Sequence, residues 1–236
     1  MLPDDNVLKV IQQSVQALDR ILALLTAQKY PEVLALTDQT LKDFLGLNSA
    51  EVQQHSEAEL IAMLTDNFGV DVARLLILAE LLKTEGDALA ALDRTEESDA
   101  RYLRSLNLFL EMAHITGADE RPAARTEEYA RIDTLAATLQ PRGAIPLTTQ
   151  TTLYHYYEAG GQYAQAEETL LSLIEASPDP EAAIQEGIAF YRRLLARSDA
   201  ELAAGGIQRD IIKRSLASLE DFLKAQSLAQ VPLSHR

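Results

Sequence analysis

The chain has 236 residues and a formal net charge of −15, and it contains no cysteine. This acidic balance disfavours binding to nucleic acids or to anionic membranes, because both partners require a basic surface. Disulfides are excluded, and we expect a cytoplasmic protein, since Asp4 and Asp5 stand where a signal peptide carries basic residues and no apolar run could span a membrane.

Apolar residues recur at helical spacing along most of the chain, and leucine and alanine are the most frequent of them. Both features favour helix over strand. We therefore predict an all-α fold of about nine to ten helices, arranged as antiparallel helical hairpins.

The first predicted helix, residues 6–27, is apolar on more than one face. A seam with alternating steps of three and four is formed by Leu8, Ile11, Val15, Leu18 and Leu22. Further apolar residues widen this seam, so the helix needs cover on two sides. Two interpretations stay open: it is a core helix of one chain, or a second copy of the chain covers the seam in a homodimer.

The next two helices have recognisable ends. Pro31 is suited to the first turn of a helix that ends near Gly46. Ser56 and Glu59 have the spacing of a capping box, in which each residue satisfies a backbone N–H of the other. They predict the start of a short helix.

The most apolar predicted helix covers residues 70–92, and residues 96–114 are its antiparallel partner. Gly86 lies near the end of the first of these. A glycine inside a helix costs about 1 kcal/mol relative to alanine, so Gly86 either accepts this cost or ends the helix early.

A charged stretch with glycine and proline, residues 117–122, is the best candidate for a domain boundary. We predict N-terminal helical hairpins in residues 1–117 and C-terminal hairpins in residues 118–236. A single continuous solenoid is the alternative. Another helix is predicted over residues 127–139.

Residues 148–178 read as two amphipathic helices folded back on each other. Thr148 or Thr149 is expected to cap the first helix with its hydroxyl group. Gly160 and Gly161 are expected to supply the positive φ that stops it. The second helix begins at residue 162 or 163, and Pro178 follows its end.

This hairpin resembles one tetratricopeptide repeat. The positions that carry the resemblance are Leu153, Tyr157, Gly161, Tyr163, Ala166, Leu170 and Pro178. The chain departs from the repeat signature at Gln150, Tyr154 and Leu170, and Tyr154 is the largest departure because it puts a ring where the family has glycine. Tyr157 recurs as Tyr191 after 34 residues, which is the repeat length of that family.

The whole chain resembles an uncharacterised bacterial family with tetratricopeptide-repeat-like (TPR-like) hairpins. The residues that carry this resemblance are the leucine-rich first helix, the helix end at 80–86, and Ser198, Asp199, Glu201, Leu202, Gly205 and Gly206. The resemblance implies a TPR-like α-α superhelix and no known activity.

In such repeats the first helix of each hairpin lines a concave groove. The resemblance therefore implies a partner-binding face formed by Thr151, His155, Glu158, Gln185 and Arg192. Glu158 and Arg192 occupy equivalent positions and could pair or bind opposite ends of a peptide. Tyr157 and Tyr191 should face the core instead. The alternative is that this face is an ordinary solvated surface.

Motifs that carry catalysis are missing from the sequence. It contains neither a glycine-rich phosphate loop nor a G-x-S-x-G elbow. Glu111 and His114 form a single Glu-x-x-His pair, whereas di-iron bundles need two such pairs and further glutamates. We therefore expect no catalytic residue, metal or cofactor.

The favoured function is a non-catalytic interaction or scaffold module that binds a protein or peptide, with self-association through the first helix if the homodimer interpretation of that helix holds. The alternative is a helical domain that binds a small-molecule effector in a pocket between its two halves.

Overall fold

The computed structural model describes residues 5–67, 69–117 and 130–229, and the side chains of 12, 13, 15–67, 69–117 and 130–225. This described part is almost entirely helical, which confirms the predicted all-α class. Its helices are α1 (Asp5–Thr26), α2 (Tyr30–Leu45), α3 (Ser49–Val52), α4 (Glu57–Met63), α5 (Val72–Ala91), α6 (Thr95–Thr116), α7 (Ala130–Leu139), α8 (Leu147–Ala159), α9 (Tyr163–Ala176), α10 (Pro180–Leu195), α11 (Asp199–Ala204) and α12 (Arg209–Ala229).

Two small elements interrupt the helices. Strands β1 (Thr65–Asp66) and β2 (Gly69–Val70) form an antiparallel pair, and a single 3-10 turn covers Gln140–Arg142. The described part has more helices than the predicted nine to ten because α3 and α11 have only four and six residues. Helices this short do not repeat an apolar period, so periodicity does not find them.

Contacts divide the described chain into two compact units, with α1–α7 in the first and α8–α12 in the second. Helix α7 lies in the first unit, although the predicted division placed it after the boundary. Its apolar side chains Ile132, Leu135 and Leu139 are buried, and Arg131 Nε donates to Glu80 Oε1 at 3.0 Å. The predicted ranges 1–117 and 118–236 stay a prediction, since a division by contacts does not establish independent folding. Residues 118–129 lie outside the described part.

In the first unit, α5 and α6 form the central antiparallel hairpin. Ser98 Oγ donates to the carbonyl oxygen of Gly86 at 3.0 Å, and Ser105 Oγ donates to that of Ala79 at 2.8 Å. Gly86 lies within α5, so the alternative that it ends the helix is wrong. A Cβ atom at Gly86 would lie 2.6 Å from the Tyr102 ring. Glycine is therefore required for the close approach of the two helices.

A buried polar cluster links the start of α3 to the α5–α6 hairpin by hydrogen bonds. Glu85 is buried, Arg101 Nε donates to its carboxylate at 2.7 Å, and Ser49 Oγ donates to the other carboxylate oxygen. Arg104 donates to the carbonyl oxygen of Val52 at 2.7 Å and to that of His55, beyond the end of α3. Arg104 thus satisfies carbonyl groups that the end of a short helix leaves unpaired.

Helix α1 packs against α2 and α5 and buries Ile21 completely. On the predicted seam, Val15 and Leu22 are 46% and 48% exposed, and Leu18 is half-buried. The side chains of Leu8 and Ile11 lie outside the described residues. The described part of the seam is therefore only partly covered by its own unit, and the homodimer stays a prediction.

In the second unit, α8 and α9 pack together as the predicted hairpin. Gly161 has the expected positive φ of 73°, whereas Gly160 has φ of −76°, so one left-handed residue is enough for the turn. The predicted threonine cap is wrong. Helix α8 begins directly after Pro146, which is its N-cap, and this places Thr148 and Thr149 inside the first turn.

Helix α10 packs against both α9 and α12. Helix α12 packs along α10, and the two approach closely at Gly187, where a Cβ atom would lie 2.7 Å from Leu219 Cδ1. Between them in sequence, α11 starts with a capping box formed by Ser198 and Glu201, and the box predicted at Ser56 and Glu59 is confirmed. No helix in the described ranges is long and apolar enough to cross a membrane.

Candidate functional site

The five residues of the predicted binding face lie on two helices of the second unit. Thr151, His155 and Glu158 lie on α8, and Gln185 and Arg192 lie on α10. Four of the five are exposed and Glu158 is half-buried. The structure does not bring them to one place, because they divide between two grooves and an ion cluster.

The first groove, named here the α8–α10 groove, contains Thr151 and His155. Its volume is about 390 Å³. Helix α8, the end of α9 and the start of α10 form its walls. The lining side chains are Leu147, Thr151, Tyr154, His155, Leu170, Leu173, Ser177, Pro178, Asp179, Ala182, Ala183 and Glu186. The groove is mostly apolar, with two carboxylates from α10 and its N-cap.

The second groove, named here the α10–α12 groove, contains Gln185 and Arg192. It is larger, at about 880 Å³, and is lined by Gln185, Ile188, Ala189, Arg192, Glu220, Leu223 and Lys224. Arg192 donates to Glu220 Oε1 at 2.7 Å across the groove. Side chains of both charge signs therefore line this groove.

The ion cluster joins α8 to α10 and is centred on Arg193. Its Nε donates to Glu158 Oε1 at 2.7 Å, and one Nη donates to Glu158 Oε2 at 2.9 Å. The same nitrogen lies 2.8 Å from Glu186 Oε1 and 2.7 Å from the Tyr154 hydroxyl. The predicted pairing of Glu158 with Arg192 is wrong, since Arg193 is the partner.

The reason is geometric. Equivalent positions on successive helices point in the same direction and not toward each other. A side chain that reaches the neighbouring helix must lie at a different angle around the axis of its helix. One step along a helix changes this angle by about 100°. Arg193 therefore turns toward α8, whereas Arg192 turns toward α12.

The charges of this cluster stabilise one another. Burial alone would raise the pKa of Glu186, but hydrogen bonds from Arg193 and Tyr154 outweigh it and lower that pKa below its ordinary value. Hydrogen bonding to Glu158 raises the pKa of Arg193. Burial, followed by the bond to Glu186, raises the pKa of Tyr154. These pKa shifts keep Tyr154 protonated and keep Glu186 and Arg193 charged near neutral pH.

Tyr154, the largest departure from the repeat signature, is a structural part of this region. It is buried, and its ring packs edge-on against Phe190 of α10 with centroids 5.7 Å apart. Its hydroxyl donates to Glu186 Oε1 at 2.8 Å. The ring fits at a position where the family has glycine because its polar end has partners on α10.

Sequence reasoning missed Tyr154, Glu186 and Arg193 as one cluster. A usable signal was present, because Tyr154 and Glu158 are four residues apart on α8 and Glu186 and Arg193 are seven apart on α10. Both spacings place the two residues on one helix face. Nothing in the sequence indicated that these two faces meet.

The tyrosines predicted to face the core do so. Tyr157 and Tyr191 are both buried, and the Tyr191 hydroxyl donates to Glu167 Oε1 at 2.7 Å. Burial raises the pKa of Tyr191, and the bond to Glu167 adds to this shift. The 34-residue step therefore relates two core positions.

The chemistry that this region offers is apolar contact together with a few fixed polar groups. No group of three histidine or acidic side chains in the described part of the chain is arranged to hold a metal ion. The grooves can bind a ligand by shape, by apolar contact and by charge.

Comparison with known proteins places the chain in a family. A family of unknown function, DUF6483, matches residues 1–224. No curated protein and no solved structure matches the chain. The family match covers nearly the full sequence and agrees with the resemblance to an uncharacterised family. The chain therefore belongs to this family of unknown function.

Proposed function

We propose that this chain is a non-catalytic interaction module built from TPR-like helical hairpins, and that it binds a partner protein or peptide through its second unit. The observation that supports this most directly is the α8–α10 groove. Side chains of α8 and of α10 line this groove together, and among them are the exposed side chains of Thr151 and His155.

Three features support the TPR-like assignment. Tyr157 and Tyr191 are 34 residues apart and both are buried. Ala166 is fully buried at the position where the repeat uses a small residue. Gly161 has the positive φ that the hairpin turn needs. The second hairpin, α10 with α12, departs from the simple repeat because α11 is inserted between its helices.

A protein or peptide is the class of partner that suits these grooves best. They lie between helices and are mostly apolar with a few polar groups, which suits the recognition of extended or helical segments. The net charge of −15 opposes nucleic acids and anionic membranes. We place this module in the cytoplasm of a bacterial cell, which cell fractionation tests.

The experiment that tests this proposal is affinity capture of the tagged full chain from its source organism, followed by reconstitution of each recovered complex from purified components. The native chain should retain a stoichiometric protein partner. The double variant Thr151→Ala/His155→Ala should bind that partner about fivefold more weakly, as expected for the loss of polar contacts. His114→Ala, an exposed histidine on α6, is the matched control and should bind as the native chain does.

A reconstitution in which no purified protein binds overturns the proposal. Recovery of a bound small molecule in place of a protein would instead favour the effector-binding alternative. Mass spectrometry of the captured material under native conditions distinguishes these two results.

A further inference from the structure

We propose that the α8–α10 groove binds a basic side chain of a partner peptide, arginine or lysine, with apolar neighbours of that residue against the groove walls. This inference rests on the proposed function and names the chemistry of its partner.

The walls of the groove favour an apolar ligand. Leu147, Leu170 and Leu173 line one part of it, and Pro178, Ala182 and Ala183 line another. The volume of about 390 Å³ lies in the range of sites that enclose a ligand group. An apolar residue placed here would remove apolar surface from water on both partners.

Besides the imidazole of His155, the groove is lined, in the described part of the chain, by charged side chains of one sign only. Its lining contains two carboxylates, Asp179 and Glu186, and no lysine or arginine belongs to the described residues that line it. Arg193 donates to Glu186 Oε1 at 2.8 Å, and Glu158 binds the same guanidinium with two hydrogen bonds. The formal charges of Asp179, Glu186, Glu158 and Arg193 leave this region negative, so a cation is the complementary ligand.

Glu186 is fixed in place and keeps a free acceptor. Its Oε1 accepts from the Tyr154 hydroxyl and from Arg193, both at 2.8 Å. Its Oε2 has no hydrogen bond to the described part of the protein, and the side chain is partly exposed. A carboxylate held in one orientation loses little side-chain entropy when a ligand binds. Oε2 is therefore a prepared acceptor for an ammonium or guanidinium group.

Asp179 is the second prepared carboxylate. Its Oδ1 accepts from the backbone N–H of Ala182 at 3.1 Å as the cap of α10, and this bond sets the orientation of the side chain. The two carboxylates lie along the α10 wall of the groove, one at the N-cap and one two turns into the helix, so both attract a basic group placed along this wall.

The α10–α12 groove does not share this preference. Arg192 and Lys224 line it together with Glu220, so its lining does not select one sign of charge. The basic ligand is therefore assigned to the α8–α10 groove alone.

The probes for this inference are three capped pentapeptides, Ala-Leu-Arg-Leu-Ala and the same peptide with glutamine or glutamate in place of arginine. Each is titrated into the ¹⁵N-labelled full chain, and chemical shifts of backbone amides are followed. The arginine peptide should bind at least about fivefold more tightly than the glutamine peptide, because a charge-assisted hydrogen bond is stronger than a neutral one. The glutamate peptide should bind most weakly, and the shifts should map to residues 147–155 and 177–186.

Two variants and one control locate the effect. Glu186→Gln should remove the preference for arginine over glutamine. Glu181→Gln, an exposed glutamate on the same helix that does not line the groove, should keep it. Ala182→Leu fills the groove while keeping every charged side chain of the ion cluster, and it should weaken all binding. This variant keeps the test valid if Glu186→Gln disturbs the fold, which circular dichroism would reveal.

Equal binding of the arginine and glutamine peptides, no binding of the arginine peptide, or shifts confined to other surfaces would each overturn the basic-ligand inference. The proposed function fails separately, when no purified protein partner binds the chain. If a protein partner binds equally well to the native chain and to Ala182→Leu, the proposed interaction module is retained. Only the assignment of the α8–α10 groove as its binding site is then wrong.

Discussion

Arg193 of α10 binds Glu158 of α8 through two parallel hydrogen bonds of 2.7 and 2.9 Å, and this pair links two successive hairpins. Bidentate arginine–carboxylate pairs combine charge with fixed geometry, so they resist solvent competition better than single contacts. The neighbouring Arg192 makes one bond to Glu220 and is more exposed than Arg193. The two adjacent arginines therefore offer a matched comparison.

We predict that Arg193→Ala lowers the free energy of unfolding by about 1–2 kcal/mol, since it removes bonds to two carboxylates and to Tyr154. Arg192→Ala should cost about 0–1 kcal/mol, the usual range for an exposed ion pair. Urea unfolding followed by circular dichroism measures both variants. Equal losses would show that the cluster is no stronger than a surface pair.

The close approach at Gly86 predicts a second comparison. Gly86→Ala should destabilise the protein by about 1–3 kcal/mol, because the new methyl group meets the ring of Tyr102 and overpacking outweighs the better helix propensity of alanine. The ring cannot move easily, since Tyr102 is buried and its hydroxyl donates to Asp87 Oδ1 at 2.9 Å.

Gly187→Ala is the control for this effect. Its methyl group would meet Leu219 Cδ1, which is the end of a flexible side chain that can move aside. We expect a change within about 1 kcal/mol in either direction, with the gain in helix propensity offsetting the contact. Thermal unfolding of both variants checks the contrast, and a Gly86→Ala protein as stable as the native chain would contradict it.

The lowered pKa of Glu186 predicts a dependence of stability on pH. Its ordinary value is 4.5, and the folded-state value is lower. The ionised carboxylate therefore adds stability that is present above the unfolded-state pKa and is lost as the pH falls through the folded-state pKa.

Glu186→Gln should accordingly be less stable than the native chain near neutral pH, and the difference should shrink as the pH falls below 4.5. Unfolding midpoints in urea across this range measure the difference. Glu181→Gln serves as the control and should show no such trend. A gap that stays constant down to the acid transition would mean that the cluster does not depend on the charge of Glu186.

Helical periodicity predicted most of the fold because burial of an apolar face is a local pattern. The α5–α6 and α8–α9 hairpins follow from such patterns, as do the capping boxes at Ser56 and Ser198, since all the groups involved are close in sequence. The predicted start of α8 is wrong because Pro146 has an extended conformation and is itself the N-cap. The helix therefore begins directly after it without a side-chain cap. The preference of threonine for N-cap positions does not take the effect of this proline into account.

The candidate site was predicted less well, because it depends on contacts between helices. The 34-residue step predicted corresponding positions for Glu158 and Arg192, but such a correspondence predicts that two side chains point the same way and not that they are in contact. The partner of Glu158 is one residue further along. Whether a ring such as Tyr154 fits between helices depends on acceptors and donors 32 residues away in sequence, at Glu186, and 39 away, at Arg193.

The exposed seam of α1 predicts the behaviour of the chain in solution. Val15 and Leu22 expose large apolar side chains on one helix, which is the kind of surface that a second copy covers. If the proposed homodimer forms there, light scattering should give twice the 26.0 kDa mass of the chain at micromolar concentration. Leu22→Glu should return the mass to that of a monomer, whereas Ile211→Glu on α12, also exposed, should not. A monomeric native chain would contradict self-association.

The most direct test of the interaction module is hydrogen–deuterium exchange of the full chain with and without the protein that it retains from its source cells. Binding in the α8–α10 groove should slow exchange in segments that cover α8 and the first half of α10, and α5 and α6 should be unchanged. Slowed exchange confined to the first unit, or none anywhere in α8 and α10, would contradict the proposed binding face.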